Sequence, residues 1–373
     1  MNYPDEPLPG SDPGPDPSPE RLRRALALAG IGAIALGAVG AFAWTAGWLG
    51  ADRLTAGQVV DAVEANGGPH PGFRRAHAKG VCITGTFTGS AEGRALSAAE
   101  AFSGETLPVL GRFSIGGGDP HGSDASARVR SLALQLGGRG EPQWRMAMNS
   151  FPFLAVATPQ AFHQQTLASR PDPATGKADP VAMEAFLADH PRARAFQQWA
   201  KAAPWSDSWA NTEYNSVNAF RFVDADGGER FVRWSMQPRT PFRELDAAER
   251  ERADAGFLAA DLDQRLQSGP LHWDMVVTLA APGDVVEDPS VPWPDARDQV
   301  VVGTLTLLHA EPQSTGACRD INFDPLVLPH GVAASGDPIL AARSATYAQS
   351  FNRRQRELAL GQGNAATTSE ATP

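Results

Sequence analysis

The hydrophobic pattern between residues 81 and 310 is that of short strands separated by turns. Several segments place apolar residues at every second position, as in ARVRSLALQL, and such alternation is typical of a β-strand with one buried face. Clusters of glycine, proline and aspartate separate the segments, and DADGGE between FRFV and RFVRW predicts a tight hairpin. The predicted strands are residues 81–89, 109–116, 127–136, 146–156, 219–223, 231–236, 272–279 and 301–309.

Three helical patterns interrupt or follow these strands. Apolar residues recur at helical spacing in residues 180–201, 246–267 and 338–360. At the start of the last pattern, Asp337 and Pro338 have the residue types of an N-cap and of the first helical position. Eight strands in mostly hairpin order predict an α+β fold, a closed eight-stranded antiparallel β-barrel with surrounding helices, because closure leaves no exposed sheet edge.

An uncharged apolar stretch precedes this region. Residues 25–50 carry no charged side chain, and a helix of about 20 apolar residues can span a bilayer. Arg21, Arg23 and Arg24 stand directly before it, which predicts a cytoplasmic amino terminus and a folded region on the periplasmic or other extracytoplasmic side. A cleaved signal peptide is the alternative, although its apolar core usually has only about 7 to 15 residues.

The composition of both chain ends predicts disorder. The first residues are dense in proline and acid, and the last are small and polar, so neither end can bury a core. We therefore predict four parts, which are a disordered cytoplasmic tail (1–24), a transmembrane anchor (25–50), one folded domain (51–360) and a second disordered tail (361–373).

Net charge and cysteine content narrow the choice of partners. The chain has a net charge of −10 and therefore lacks the positive field that attracts nucleic-acid phosphates. No nucleic-acid partner is predicted. Cys82 and Cys318 are the two cysteines, and one disulfide could persist in an exported domain. Their spacing along the chain does not show whether they meet in space, so a disulfide and two unpaired buried thiols both remain open.

The last predicted helix contains one pair of residues with chemical potential. Arg343 and Tyr347 are four positions apart and therefore neighbours on one helical face. A guanidinium beside a phenol favours the phenolate form, and a phenolate can bind ferric iron. Taken alone, the pair is more often an ordinary aromatic and basic contact on a helix surface.

Several ordered segments give the chain a family resemblance. It resembles the monofunctional heme catalases, and most closely their short branch of catalase-related peroxidases. RRAHAKG is similar to the stretch that carries the distal histidine, here His77, and MNSFPFLAVATPQAF to the stretch that carries the distal asparagine, here Asn149. GRFSIGGGD, YNSVNAFRFVDADGGERFVRW and INFDPLVLPHGVAASGDPIL follow the family order, and RSATY ends on the proximal iron ligand, here Tyr347. The family's usual proline and aspartate after that tyrosine are replaced by Ala348 and Gln349.

The resemblance implies a catalase-like heme-binding fold and a set of site residues. The cofactor would be heme b, with His77 moving a proton of the peroxide and Asn149 orienting it. Tyr347 would bind the iron with Arg343 keeping it ionised, and Ser114 would hydrogen-bond the His77 ring. The implied porphyrin and propionate contacts are Phe162 for stacking and Arg74, Arg112 and Arg354 for the carboxylates.

The implied activity is that of a peroxidase with weak or no catalase turnover. Hydrogen peroxide, or an organic hydroperoxide, would be reduced with a small organic electron donor, and the membrane would be a partner through the anchor. Two alternatives use the same cofactor. One is a hydroperoxide-rearranging enzyme of the allene oxide synthase type, and the other is a non-catalytic exported heme-binding protein.

Overall fold

The computed structural model describes residues 19–45, 53–138 and 143–362 of a chain that divides into two compact units, Met1–Thr55 and Ala56–Pro373. In the first unit, helix α1 (Pro19–Thr45) contains a 25-residue stretch, Glu20–Trp44, that is long and apolar enough to cross a membrane. A signal sequence would have the same properties. The helix begins before residue 25, so residues 19–24, predicted as part of a disordered tail, are helical. The rest of that tail, the end of the predicted anchor and residues 363–373 lie outside the described residues.

The second unit is built on one antiparallel sheet. In the described part of this unit its strands are β1 (Gly80–Gly89), β2 (Thr106–Ile115), β3 (Arg130–Leu136), β4 (Trp144–Asn149), β5 (Tyr214–Asn215), β6 (Phe220–Val223), β7 (Glu229–Pro238), β8 (Leu271–Leu279), β9 (Gln299–Pro312) and β10 (Val332–Ala334). They follow the order β10-β6-β7-β5-β4-β3-β2-β1-β9-β8, and a further pairing of β7 with β8 closes the sheet.

The closed sheet has eight strand positions, as predicted. Strands β5 and β6 pair with successive stretches of β7, since Tyr214 lies opposite Met236 and Phe220 lies opposite Val232. Together they act as one interrupted strand, and across the described residues the barrel is therefore an eight-stranded antiparallel one. The predicted strand 146–156 is too long, because β4 ends at Asn149 and Pro152 cannot donate to a strand ladder.

Alternation along the strands separates two environments. In β3, Leu132, Leu134 and Leu136 are fully buried inside the barrel, opposite Met148, Met146 and Trp144 of β4. The residues between them point to the outer face of the same strands. This outer face is covered by helices.

Two of the three helices predicted for the second unit are each divided into two shorter ones. The described helices of this unit are α2 (Ala56–Gly67), α3 (Ala91–Leu96), α4 (Pro159–Ala168), α5 (Pro180–Asp189), α6 (Pro191–Ala202), α7 (Ala247–Arg252), α8 (Phe257–Ser268) and α9 (Pro338–Ala359). The predicted helix 180–201 breaks at His190 because Pro191 disfavours a helical conformation in the residue before it. The predicted helix 246–267 likewise divides into α7 and α8. The N-cap of α9 is confirmed, as the Asp337 carboxylate accepts from the Ile339 amide at 2.8 Å.

The question of the two cysteines is answered by the tertiary structure. Cys82 and Cys318 form a disulfide with a Cα separation of 5.3 Å, across 236 residues of sequence. Both residues are fully buried. The bridge ties strand β1 to the loop that follows β9.

Candidate active site

A cavity of about 400 Å³ lies between the outer face of strands β2–β4 and helices α2, α4 and α9. Its wall is mostly apolar, with a few polar groups, as is usual for a small-molecule site. Every site residue predicted from the sequence lies on this wall, namely Arg74, His77, Arg112, Ser114, Asn149, Phe162, Arg343, Tyr347 and Arg354. Residues from five separate stretches of the chain therefore share one cavity.

Strand register places three of the polar groups in a row. Ser114 of β2 lies directly opposite Ser131 of β3, and Ser131 lies directly opposite Asn149 of β4. Residues directly opposite one another in an antiparallel pair point to the same face of the sheet. Because the intervening residues fill the barrel interior, the period of two delivers all three side chains to the cavity.

His77 is held in an uncommon backbone conformation beside this row. Its φ angle of 55° lies in the left-handed region, which is uncommon for a residue other than glycine. Its Nδ1 atom is 3.1 Å from the Ser131 hydroxyl, and that hydroxyl donates to the Asn149 side-chain oxygen at 2.6 Å. The Ser131 oxygen therefore accepts the Nδ1 proton, and Nε2, which bonds none of the described residues, keeps a free lone pair. Within the part of the chain that the structure describes, the Asn149 amide group makes no hydrogen bond and can donate to a ligand.

Ser131 replaces a predicted partner. The resemblance assigned the hydrogen bond on the His77 ring to Ser114, but the structure gives it to Ser131, one strand further along the sheet. That prediction is wrong in its detail, although Ser114 does line the cavity. Since the two serines are cross-strand neighbours, only the strand pairing distinguishes them.

The surroundings of His77 keep its ring neutral. Burial, followed by the positive charges of Arg112 and Arg343, lowers the pKa of His77 from 6.5 to about 4. A neutral ring with a free Nε2 can accept a proton near neutral pH. The arrangement therefore has the properties of a general base.

A pH dependence follows from this shift. We expect the rate of reaction with peroxide to fall with decreasing pH around a midpoint near 4, rather than near the ordinary 6.5. Between those two values the unfolded chain binds a proton at position 77 that the folded chain does not, so stability also decreases as pH falls through this window. Stopped-flow kinetics and thermal unfolding over a buffer series measure both effects. A kinetic midpoint near 6.5 in the parent chain that disappears in His77→Asn would show that the surroundings of His77 do not lower its pKa.

Helix α9 supplies the cavity residues that face strands β2–β4, and it does so at helical spacing. Arg343, Tyr347, Phe351 and Arg354 all line the cavity, at intervals of three or four residues. The predicted contact between the first two is present, since the Arg343 guanidinium donates to the Tyr347 hydroxyl at 3.3 Å. The same guanidinium donates to the Ala147 carbonyl of β4 at 2.7 Å, which fixes α9 against the barrel.

Two further residues, Asn218 and Asp337, orient Arg343, and no local pattern predicted this role. The Asn218 side-chain oxygen accepts from Arg343, and its amide donates to Asp337 at 2.6 Å. Asn218 is fully buried and follows Val217, which lines the cavity with a φ of 55°. A β-branched residue in this conformation is strained. The N-cap role of Asp337 was predictable from its position before Pro338, but its link to Asn218 is a tertiary contact.

Three arginines form a positive cluster at the cavity. Arg112 and Arg354 are almost fully buried, and burial together with the Arg354 charge lowers the pKa of Arg112 to about 9. Burial, then the charges of Arg112 and Arg354, lowers the pKa of Arg74. Arg112 Nε and two nitrogens of Arg354, Nε and Nη2, have no hydrogen-bond partner among the described residues. Buried guanidinium nitrogens without partners are costly, so these unpaired nitrogens make the cluster suited to anionic groups.

Comparison with known proteins identifies the family. Residues 70–358 match the family model described as Catalase. The chain belongs to the catalase family. It is 40% identical over 308 residues to a catalase-related peroxidase of Synechococcus elongatus, covering 83% of this chain and 91% of that one. It is 34% identical over 302 residues to a catalase-related peroxidase of Mycolicibacterium paratuberculosis, covering 81% and 95%.

Solved catalases share the fold of this catalase-family chain. A fungal catalase matches with a TM-score of 0.68 at 20% identity, covering 76% of this chain and 59% of that structure. A bacterial catalase matches with a TM-score of 0.67 at 20% identity, covering 76% and 57%. The chain thus spans less than two thirds of these larger proteins. Family membership and the catalase-related peroxidase relatives make it a peroxide-acting oxidoreductase that binds heme.

The cavity residues fit a heme. Tyr347 provides an oxygen donor of the type that holds catalase iron. The unpaired nitrogens of Arg112 and Arg354 provide donors for two carboxylates, and the apolar walls suit a porphyrin. Phe162 is 38% exposed and lies on the cavity wall.

Proposed function

We propose that this chain is a heme b peroxidase, held at the membrane by α1, that reduces hydrogen peroxide to water with electrons from a small organic donor. The overall change is H₂O₂ + 2 e⁻ + 2 H⁺ → 2 H₂O, and the donor supplies the electrons. One observation carries the proposal: a neutral His77 with a free Nε2 shares a cavity with a Tyr347 that Arg343 contacts. The names of the relatives support peroxidase over catalase activity.

When bound, heme supplies a redox-active iron at which peroxide is cleaved. Tyr347 would hold the iron through its side-chain oxygen, to which the Arg343 guanidinium donates at 3.3 Å. Arg74, Arg112 and Arg354 would hold the propionates, and Phe162 would contact the porphyrin. Ser114 lines the same cavity.

His77 and Asn149 act on the peroxide itself. The Nε2 atom of His77 takes the proton from one peroxide oxygen and returns it to the other, which leaves as water. Ser131 holds the ring in the required tautomer, because its oxygen accepts the Nδ1 proton. The free amide of Asn149 donates a hydrogen bond that orients the peroxide, and its own orientation is fixed by Ser131.

We further propose that α1 stays attached as an anchor, with residues 1–24 cytoplasmic and the domain 51–360 outside. The three arginines near its start support this orientation. The disulfide supports an oxidising compartment, where such bonds persist.

The proposed activity is tested by following three products from the heme-loaded chain. With hydrogen peroxide and a phenolic donor such as guaiacol, we expect donor oxidation to account for most of the peroxide consumed, with little oxygen released. Oxygen release matching peroxide loss would make the chain a catalase. Conversion of a fatty-acid hydroperoxide without donor oxidation would identify a rearranging enzyme, and no consumption of either peroxide would identify a binding protein.

A further inference from the structure

One loop approaches all three arginines of the positive cluster, Arg74, Arg112 and Arg354. It runs over residues 313–323, directly after β9, and is called here the 313–323 loop. Its last three residues, Ile321, Asn322 and Phe323, line the cavity. It thus connects the end of a barrel strand to the cavity wall.

Arg74 depends on this loop for its hydrogen bonds. Its Nη2 atom donates to the carbonyls of Cys318 and Arg319, each at 3.2 Å, and to that of Ile321 at 2.9 Å. Three acceptors on one short stretch of backbone hold the guanidinium only while that stretch keeps its shape.

The other two arginines also meet the loop. Arg112 donates to the Gln313 side-chain oxygen at 2.6 Å, and the Gln313 amide donates to the Ala78 carbonyl at 3.0 Å, next to His77. Arg354 has its nearest carboxylate in Asp320, at 4.0 Å, which is beyond hydrogen-bond distance. The loop therefore positions two arginines by direct bonds and places a charge near the third.

The Cys82–Cys318 disulfide fixes this loop to the barrel. Cys82 lies directly opposite Arg112 in the pairing of β1 with β2, so the bridge begins one strand from that arginine. Cys318 carries one of the carbonyls that hold Arg74. Gly316 packs against the bridge so closely that an added Cβ would lie 2.7 Å from the Cys82 sulfur.

We propose that the Cys82–Cys318 disulfide is a positioning element for the propionate-binding arginines, so that oxidation of this pair sets how long the chain retains its heme. The proposal rests on the proposed function, since it assigns the arginines to the heme carboxylates. Reduction by a dithiol would break the S–S bond, add two electrons and two protons to the cysteines, and leave the dithiol as its own disulfide. The freed loop would then no longer hold Arg74 and Gln313 in place.

The test measures heme loss from the heme-loaded chain into an excess of heme-free globin. In the Cys82→Ala, Cys318→Ala variant we expect loss at least about tenfold faster than in the parent, since outer-shell partners typically change ligand affinity by about 10- to 100-fold. A Cys82→Val, Cys318→Ala variant refills the volume of the bridge and should behave in the same way. Leu262 of α8 is fully buried and serves as a control. Leu262→Ala should lower the melting temperature without speeding heme loss.

A second comparison separates positioning from general stabilisation. In an Arg74→Ala background, removal of the disulfide should accelerate heme loss by a smaller factor than in the parent background, because one of the two arginines that the loop holds is already gone and residues that act through one contact are not additive. Equal acceleration in both backgrounds, or parent-like heme loss in both cysteine variants, would overturn the proposal while the proposed function stands. A parent chain that binds no heme would overturn both.

Discussion

Replacement of His77 by alanine should slow peroxide consumption by about 10²- to 10⁴-fold, the usual contribution of a positioned acid–base group. The reason is that Nε2 of His77 is a free base at the cavity, and alanine offers no atom that can carry the proton. The Tyr347 and arginine contacts are untouched, so heme should remain bound with a normal absorption spectrum. The measurement is the initial rate of peroxide loss at saturating donor concentration.

Two variants control this result. His309→Ala removes an exposed histidine of β9 and should leave the rate unchanged. His77→Asn should retain the backbone better than alanine, because asparagine tolerates the left-handed conformation recorded at this position. Full activity in both position-77 variants would assign the base to a residue other than His77.

Replacement of Tyr347 by phenylalanine should abolish the iron–phenolate absorption and reduce activity by more than about 100-fold. Changes to groups behind a metal ligand already cost about 10- to 100-fold, and phenylalanine removes the proposed ligand oxygen itself. It also removes the acceptor for Arg343, which keeps its bonds to Asn218 and Ala147. Absorption and electron paramagnetic resonance spectra of the heme-loaded chain report the ligand directly.

Tyr214→Phe is the matched control for this change. Tyr214 is fully buried in the barrel, and its hydroxyl donates to the Trp209 carbonyl at 2.9 Å. Its loss should reduce stability by about 1 kcal/mol and leave the iron spectrum unchanged. Persistence of the phenolate signal in Tyr347→Phe would assign the iron ligand elsewhere.

The sequence predicted which residues form the candidate site better than it predicted the hydrogen bonds between them. His77, Asn149 and Tyr347 were assigned through short motifs, and all three line one cavity. Ser131 was missed, and its role was given to Ser114, because the two serines differ only in which strand they occupy. Asn218 was missed because it lies in a break between β5 and β6 that no local pattern marks.

The boundaries of helices were likewise predicted only where a local sequence signal marks them. The predicted start of α9 and its N-cap agree with the structure, since a capping aspartate followed by a proline is a local signal. The predicted helices 180–201 and 246–267 each divide in two. Their apolar spacing continues across the breaks, and a local pattern of this kind does not show where packing reorients the chain.

The sequence by itself determined most of the barrel strands and their two faces, the helix that pairs Arg343 with Tyr347, and the family motifs. These features depend on residues a few positions apart, whose relation is set by the repeat of a strand or helix. Only the tertiary structure decided which serine holds His77, how Asn218 reaches Arg343, and that Cys82 meets Cys318. Their separations along the chain run from 54 to 236 residues, so strand register and packing brought them together.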